Sequence, residues 1–126
     1  MRWDSQPSPL RLMRNDGTGQ RFNPLAARRA DTRTGVFEGR LTAGKTITIP
    51  MAGMSGVPAM TASGAPKAVA LNVTAVSPAA AGFLTVWDCA ATRPGTSTLN
   101  YAAGEAAISS SINTAMSSTG NVCIYS

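Results

Sequence analysis

The chain has 126 residues, a formal net charge of +5 and 44% hydrophobic residues, which suits a single domain with room for a real core. It contains no histidine, and this excludes Ser/His/Asp and Cys/His catalytic arrangements as well as the usual zinc sites. No stretch is apolar over the roughly 18 residues that a membrane-spanning helix needs. We therefore expect one domain with no membrane partner and no cofactor.

Residues 1–20 are predicted to form an extended basic arm. Proline and glycine interrupt any periodic pattern there, while Trp and Leu supply apolar groups that disordered tails usually lack. Residues 1–40 hold eight arginines against four acidic residues, but no nucleic-acid-binding module accompanies them, so no nucleic-acid partner is expected. The segment also lacks the apolar core of a signal peptide. The residues predicted to anchor the arm on a partner are Arg2, Trp3, Leu10, Arg11, Arg14 and Arg21.

The next segments suggest short strands separated by loops. Residues 28–35 are predicted to form a short strand that leads into a turn, and residues 45–50 a strand with Ile47 and Ile49 on one face. Residues 51–66 are rich in Gly, Pro, Ser and Ala, so we expect a loop there. Its methionines would either fill gaps in the core or form a contact surface.

Residues 68–87 carry the clearest pattern of the chain. Val69, Leu71, Val73 and Ala75 alternate with small or polar residues, and a second apolar strand follows after a Pro/Ala/Gly turn. The two strands are predicted to face each other across that turn.

Three further strands are expected at residues 96–101, 107–115 and 121–125, each bounded by a turn signal. Strands that recur at this spacing are typical of an all-β, antiparallel β-sandwich or jelly-roll-like head, here predicted over residues 21–126. Cys89 and Cys123 both fall at strand positions, where a sheet could bring them together. A bridge between them and two buried free thiols both remain open from the residues alone.

The side chains that could carry chemistry are few. Asp31, Asp88 and Glu105 are the carboxylates that a small glycoside hydrolase would need, although a lightly charged surface contains as many anyway. Trp87, Tyr101 and Tyr125 could stack on a sugar, or they could pack in the core or at its rim. We predict no catalytic residue and no metal site.

The order of several motifs resembles an accessory β-module of actinobacterial secreted and surface proteins. The motifs are ADTRTG at 30–35, KAVALNVTAVSPAAAGFLTVWDC at 67–89, TRPGTSTLNYAAGE at 92–105 and GNVCIYS at 120–126. The resemblance covers roughly residues 28–126. It implies an accessory surface or cell-wall role without chemistry, and it favours a Cys89–Cys123 bridge. Modules of this type usually continue into one more strand after the position of Ser126, so a sheet edge is expected to be left unpaired and to be filled by the arm, by a neighbouring subunit or by nothing.

A surface module that has a disulfide but lacks a secretory signal is expected of a bacteriophage virion protein, which folds in the host and reaches an oxidising exterior at lysis. The sequence therefore predicts a non-enzymatic capsid decoration or minor capsid protein on the virion surface, extracellular after host lysis. Its partners would be the major capsid protein or another virion subunit and further copies of the chain, with a trimer favoured. The alternative is a cell-wall or glycan-binding module acting as a host adhesin, and the remote alternative is a small hydrolase.

Overall fold

The computed structural model describes residues 22, 25, 27, 29–33, 39–54, 56–61 and 65–126. These residues form six strands: β1 (Thr46–Pro50), β2 (Ala68–Val76), β3 (Gly82–Asp88), β4 (Leu99–Tyr101), β5 (Ala107–Ala115) and β6 (Asn121–Tyr125). Every strand pair is antiparallel, and no helix occurs in this part of the chain. The prediction of an all-β fold with antiparallel sheets is confirmed.

Four strands form one sheet in the order β1-β6-β3-β4. β6 lies between β1 and β3, with Ile124 beside Ile47 on one side and Val86 on the other. These three side chains are buried together with Val122, the most deeply buried large side chain of the described residues. The core therefore lies on one face of this sheet, which we call its inner face.

The remaining strands, β2 and β5, pair over nine residues as a two-stranded sheet. Exposure alternates along both strands, as expected of strands with one side on a core. The half-buried side chains of Val69, Leu71, Val73, Ile108 and Ile112 pack against the inner face of the four-stranded sheet. The alternation predicted for residues 69–75 is thus confirmed.

The predicted pairing of the strands at residues 68–76 and 82–88 is wrong. β2 pairs with β5, whereas β3 pairs with β4 and β6, so the two consecutive strands belong to different sheets. Ser77 has a left-handed backbone with φ of 46°, and Pro78 follows it, so the chain bends away instead of forming a hairpin. The bend is tied to the β4–β5 connection, because Ser77 donates its N–H to the Glu105 carbonyl at 3.0 Å and Gly104 donates to the Pro78 carbonyl at 2.8 Å.

Other predicted segments differ in detail. Residues 29–33, the described part of the segment predicted as a strand at 28–35, contain a turn and no strand. The strand predicted at residues 96–101 is limited to β4, because the backbone bends at residues 96 and 98. Thr98 still donates its N–H to the Leu84 carbonyl of β3 at 2.7 Å. In the loop after β1, Met51 is buried and Met60 packs against the core, while Met54 is exposed.

Candidate functional site

A disulfide and a loop cover part of the outer face of the four-stranded sheet, the face turned away from the core. Cys89 and Cys123 are bonded, with Cα atoms 5.0 Å apart. The loop of residues 89–98 folds back over the sheet, where Thr85 donates its hydroxyl to the Thr96 carbonyl at 3.1 Å and Trp87 donates its indole N–H to the Ala91 carbonyl at 3.2 Å. This cover explains why β3 is buried on both faces and why Trp87 is only 9% exposed.

Beside this loop, the outer face carries an exposed group of aromatic and polar side chains. The Arg93 guanidinium carbon lies 3.8 Å from the centroid of the Tyr125 ring, in cation–π geometry. The Phe83 ring lies 6.1 Å from the Tyr125 ring, tilted by 46°, and Phe83 is 43% exposed. The strand pairing puts Asn100 next to Phe83 and Thr46 next to Tyr125 on the same face. We call this group the Arg93 patch: Thr46, Phe83, Arg93, Asn100 and Tyr125.

The structure does not bring the three predicted aromatic residues together. Trp87 is buried under the loop of residues 89–98, and Tyr101 packs against the core on the inner face, where its ring leaves no room for a side chain at Gly82. Tyr125 alone belongs to the Arg93 patch. Phe83, which sequence reasoning did not single out, takes the place beside it, because it alternates with buried Leu84 and so points outward.

The three carboxylates considered for hydrolysis each serve a local turn. Asp31 holds Arg33 with two side-chain contacts of 2.9 and 2.7 Å, and this hydrogen bonding, followed by charge attraction, raises the pKa of Arg33. Asp88 accepts the Ala90 N–H at 2.9 Å, and Glu105 accepts the Ala102 N–H at 2.7 Å. Each of these hydrogen bonds fixes a local turn. None of them links one of the three carboxylates to another.

A cleft of about 1530 Å³ opens between the two sheets. The inner faces of both sheets form its walls, and most of the lining side chains are aliphatic, among them Ile47, Leu71, Val73 and Leu84. Among the residues that the structure describes, no group of three His, Cys, Asp or Glu side chains could hold a metal ion.

The predicted anchoring residues Arg2, Trp3, Leu10, Arg11, Arg14 and Arg21 lie outside the described residues. The described residues nearest to them in sequence are apolar and open to solvent, since Phe22 is 76% and Leu25 is 51% exposed. Leu25 also lies against Gly56, in the loop that carries exposed Met54. An apolar surface therefore begins where the predicted arm meets the head.

Comparisons with protein-family models, curated proteins and solved structures gave no match. Within the described part of the chain, no helix has the length and hydropathy to cross a membrane.

Proposed function

We propose that this chain is a non-enzymatic bacteriophage virion surface protein, a capsid decoration protein whose N-terminal arm holds its head on the shell. The observation that supports this proposal is the exposed apolar surface of Phe22, Leu25 and Met54, which directly follows the arginine-rich arm. Large exposed apolar groups next to concentrated positive charge favour docking on an acidic surface with apolar pockets. The major capsid protein or another virion subunit would supply that surface.

The folded head supports a binding role and assembly into an oligomer. Its two sheets would act as a β-sandwich, and an oxidising exterior would preserve the Cys89–Cys123 bridge on the outer face of the four-stranded sheet. The local hydrogen bonds of Asp31, Asp88 and Glu105 favour a binding role over hydrolysis. We propose assembly as a homotrimer on the virion surface, because identical copies arranged around a symmetry axis suit a shell built from repeated subunits.

Deletion of residues 1–20 tests the anchor. Virions depleted of the protein are incubated with either the full-length or the truncated chain, and occupancy is measured after sedimentation. We expect the truncated chain to need at least about tenfold more protein for the same occupancy, since each lost contact worth about 1.4 kcal/mol lowers affinity tenfold.

The deletion also removes Trp3 and leaves Trp87 as the sole tryptophan of the chain. A blue-shifted emission from buried Trp87 would show that the head of the truncated chain is folded. Occupancy equal to that of the full-length chain would contradict an anchoring arm.

A second candidate function is recognition of host cell-wall glycans, and exposed Phe83 beside Tyr125 favours it. Aromatic faces at a surface offer the C–H face of a sugar ring an apolar partner. The test is a pull-down with actinobacterial cell walls, competed by soluble glycan fragments. We expect Phe83→Ala to reduce binding several-fold, because it removes the exposed ring of the pair, whereas Tyr125 is half-buried.

Phe22→Ala is the matched control, since it makes the same change at another exposed ring of the chain. It should weaken virion attachment and leave cell-wall binding unchanged, whereas Phe83→Ala should do the reverse. Equal cell-wall binding by both variants and the wild type would speak against glycan recognition at this surface.

A further inference from the structure

We infer that the Arg93 patch binds a saccharide that carries a carboxylate, such as a hexuronic acid or a sugar with a short acidic substituent. The inference rests on the glycan-recognition candidate and adds the charge of the ligand and the residue that selects it. The decisive feature is the position of the Arg93 guanidinium. Arg93 is exposed and stacks on Tyr125, so the face of its guanidinium is occupied while the N–H groups along its edge point sideways.

The N–H groups of Arg93 are the natural donors for an acidic ligand. Asp31 pairs with Arg33, no ion pair of Arg93 occurs among the described residues, and no member of the Arg93 patch is acidic. Stacking on Tyr125 fixes the plane of the guanidinium, which suits the two parallel N–H···O bonds that a carboxylate accepts. The patch is therefore prepared for a planar anion more than for a neutral polar group.

The other members of the patch suit a sugar ring better than a simple anion. Phe83 is 43% exposed and its ring centroid lies 6.1 Å from that of Tyr125, so Phe83 offers the C–H face of a pyranose an apolar surface beside the ring that Arg93 covers. Asn100 and Thr46 flank these rings from the neighbouring strands β4 and β1, and both are exposed. Their amide and hydroxyl groups can donate to and accept from sugar hydroxyls.

The backbone under the patch is held in place before any ligand arrives. Residues 89–98 are tied at one end by the Cys89–Cys123 bond and at the other by Thr98, whose hydroxyl accepts the Val86 N–H at 2.9 Å. Between these ends, the Ala91 carbonyl accepts the Trp87 indole N–H at 3.2 Å, two residues before Arg93. Arg93 thus sits on a loop that is fixed at three points, which lowers the entropy lost when it binds a ligand.

The test measures binding of two probes to the full-length, oxidised chain by isothermal titration calorimetry. One probe is an oligosaccharide containing glucuronic acid, and the other is the same oligosaccharide with its carboxyl groups reduced to alcohols. We expect the acidic probe to bind at least about tenfold more tightly, since hydrogen bonds to a charged group are the strong ones. Raising the salt concentration should narrow that difference.

Two variants assign the preference to Arg93. Arg93→Ala should bind both probes equally and at the level of the reduced probe, while Phe83→Ala should weaken both probes alike. Lys67→Ala removes an equal charge at an exposed site outside the patch, and it should keep the full preference. Arg93→Lys should keep only part of the preference for the acidic probe, because an ammonium cannot make two parallel N–H···O bonds to one carboxylate.

Equal affinity of the wild type for the two probes, or an Arg93→Ala variant that keeps the preference, would overturn the inference. Cell-wall binding that Phe83→Ala weakens, together with equal affinity for the two probes, would leave glycan recognition standing and refute only the acidic ligand. Attachment to virions through the arm is measured separately and does not depend on Arg93.

Discussion

Replacing Cys89 and Cys123 together with alanine should lower the free energy of unfolding by roughly 3.5 to 4 kcal/mol, because the bond closes a large loop in the unfolded chain. The two cysteines are 34 positions apart, and in the chain-entropy account a loop of that length removes much of the freedom of the denatured state. The measurement is urea unfolding followed by circular dichroism. A second effect is also expected, since the loop that covers Trp87 loses one of its ties.

Reductant provides the control for the disulfide. Wild-type protein treated with dithiothreitol should unfold near the midpoint of the double variant, and the variant itself should not respond to reductant. If oxidised and reduced wild-type protein unfold at the same urea concentration, the bond does not stabilise the head.

Gly120→Ala should destabilise the protein by about 2 to 5 kcal/mol, more than an ordinary glycine substitution. Gly120 has a left-handed backbone with φ of 81°, which alone costs a residue with a Cβ roughly 1 to 2 kcal/mol. A Cβ there would also collide with the side chain of Ala52, and overpacking adds about 1 to 3 kcal/mol. The backbone has little freedom to give way, because the Gly120 carbonyl accepts the Met51 N–H at 2.8 Å and the Ala52 N–H at 3.1 Å.

Gly104→Ala is the matched control, since Gly104 has a similar φ of 76° but no atom within 4 Å of the position of a Cβ. It should cost only about 1 to 2 kcal/mol for the backbone conformation. The difference between the two variants in thermal and urea unfolding then measures the collision with Ala52. Two equal losses would mean that the loop after β1 moves aside at little cost.

The strands were predictable from the sequence because each carries its own pattern. Val69 to Ala75 alternate with small or polar residues, and Ile47 and Ile49 do the same, so β1 and β2 were expected close to their observed bounds. The pairing was not predictable, since neighbours in sequence need not be neighbours in a sheet. Ser77 and Pro78 look like an ordinary turn in the sequence, yet they carry the chain from one sheet to the other.

The candidate site was predictable only in part. Tyr125, predicted as a possible glycan contact, is half-buried and lies in the Arg93 patch, and its role in binding stays a prediction. Trp87 and Tyr125 share a face, and what separates them is the loop of residues 89–98, whose path depends on bonds to Thr85 and Cys123 that no local pattern reveals. Phe83 precedes buried Leu84 in β3, and this alternation is the local signal that places its ring outward.

The position of β6 has a consequence for how the protein reaches its folded state. Thr48 and Cys123 lie side by side although they are 75 residues apart in the chain, so the sheet closes only after distant segments have met. Folds dominated by contacts between residues far apart in sequence form slowly. Until β6 has formed, β1 and β3 lack the strand that lies between them. Cys89 meets Cys123 when β3 pairs with β6, over only 34 positions, so oxidation of the two thiols would record that pairing, and within one copy neither cysteine has a third cysteine to pair with wrongly.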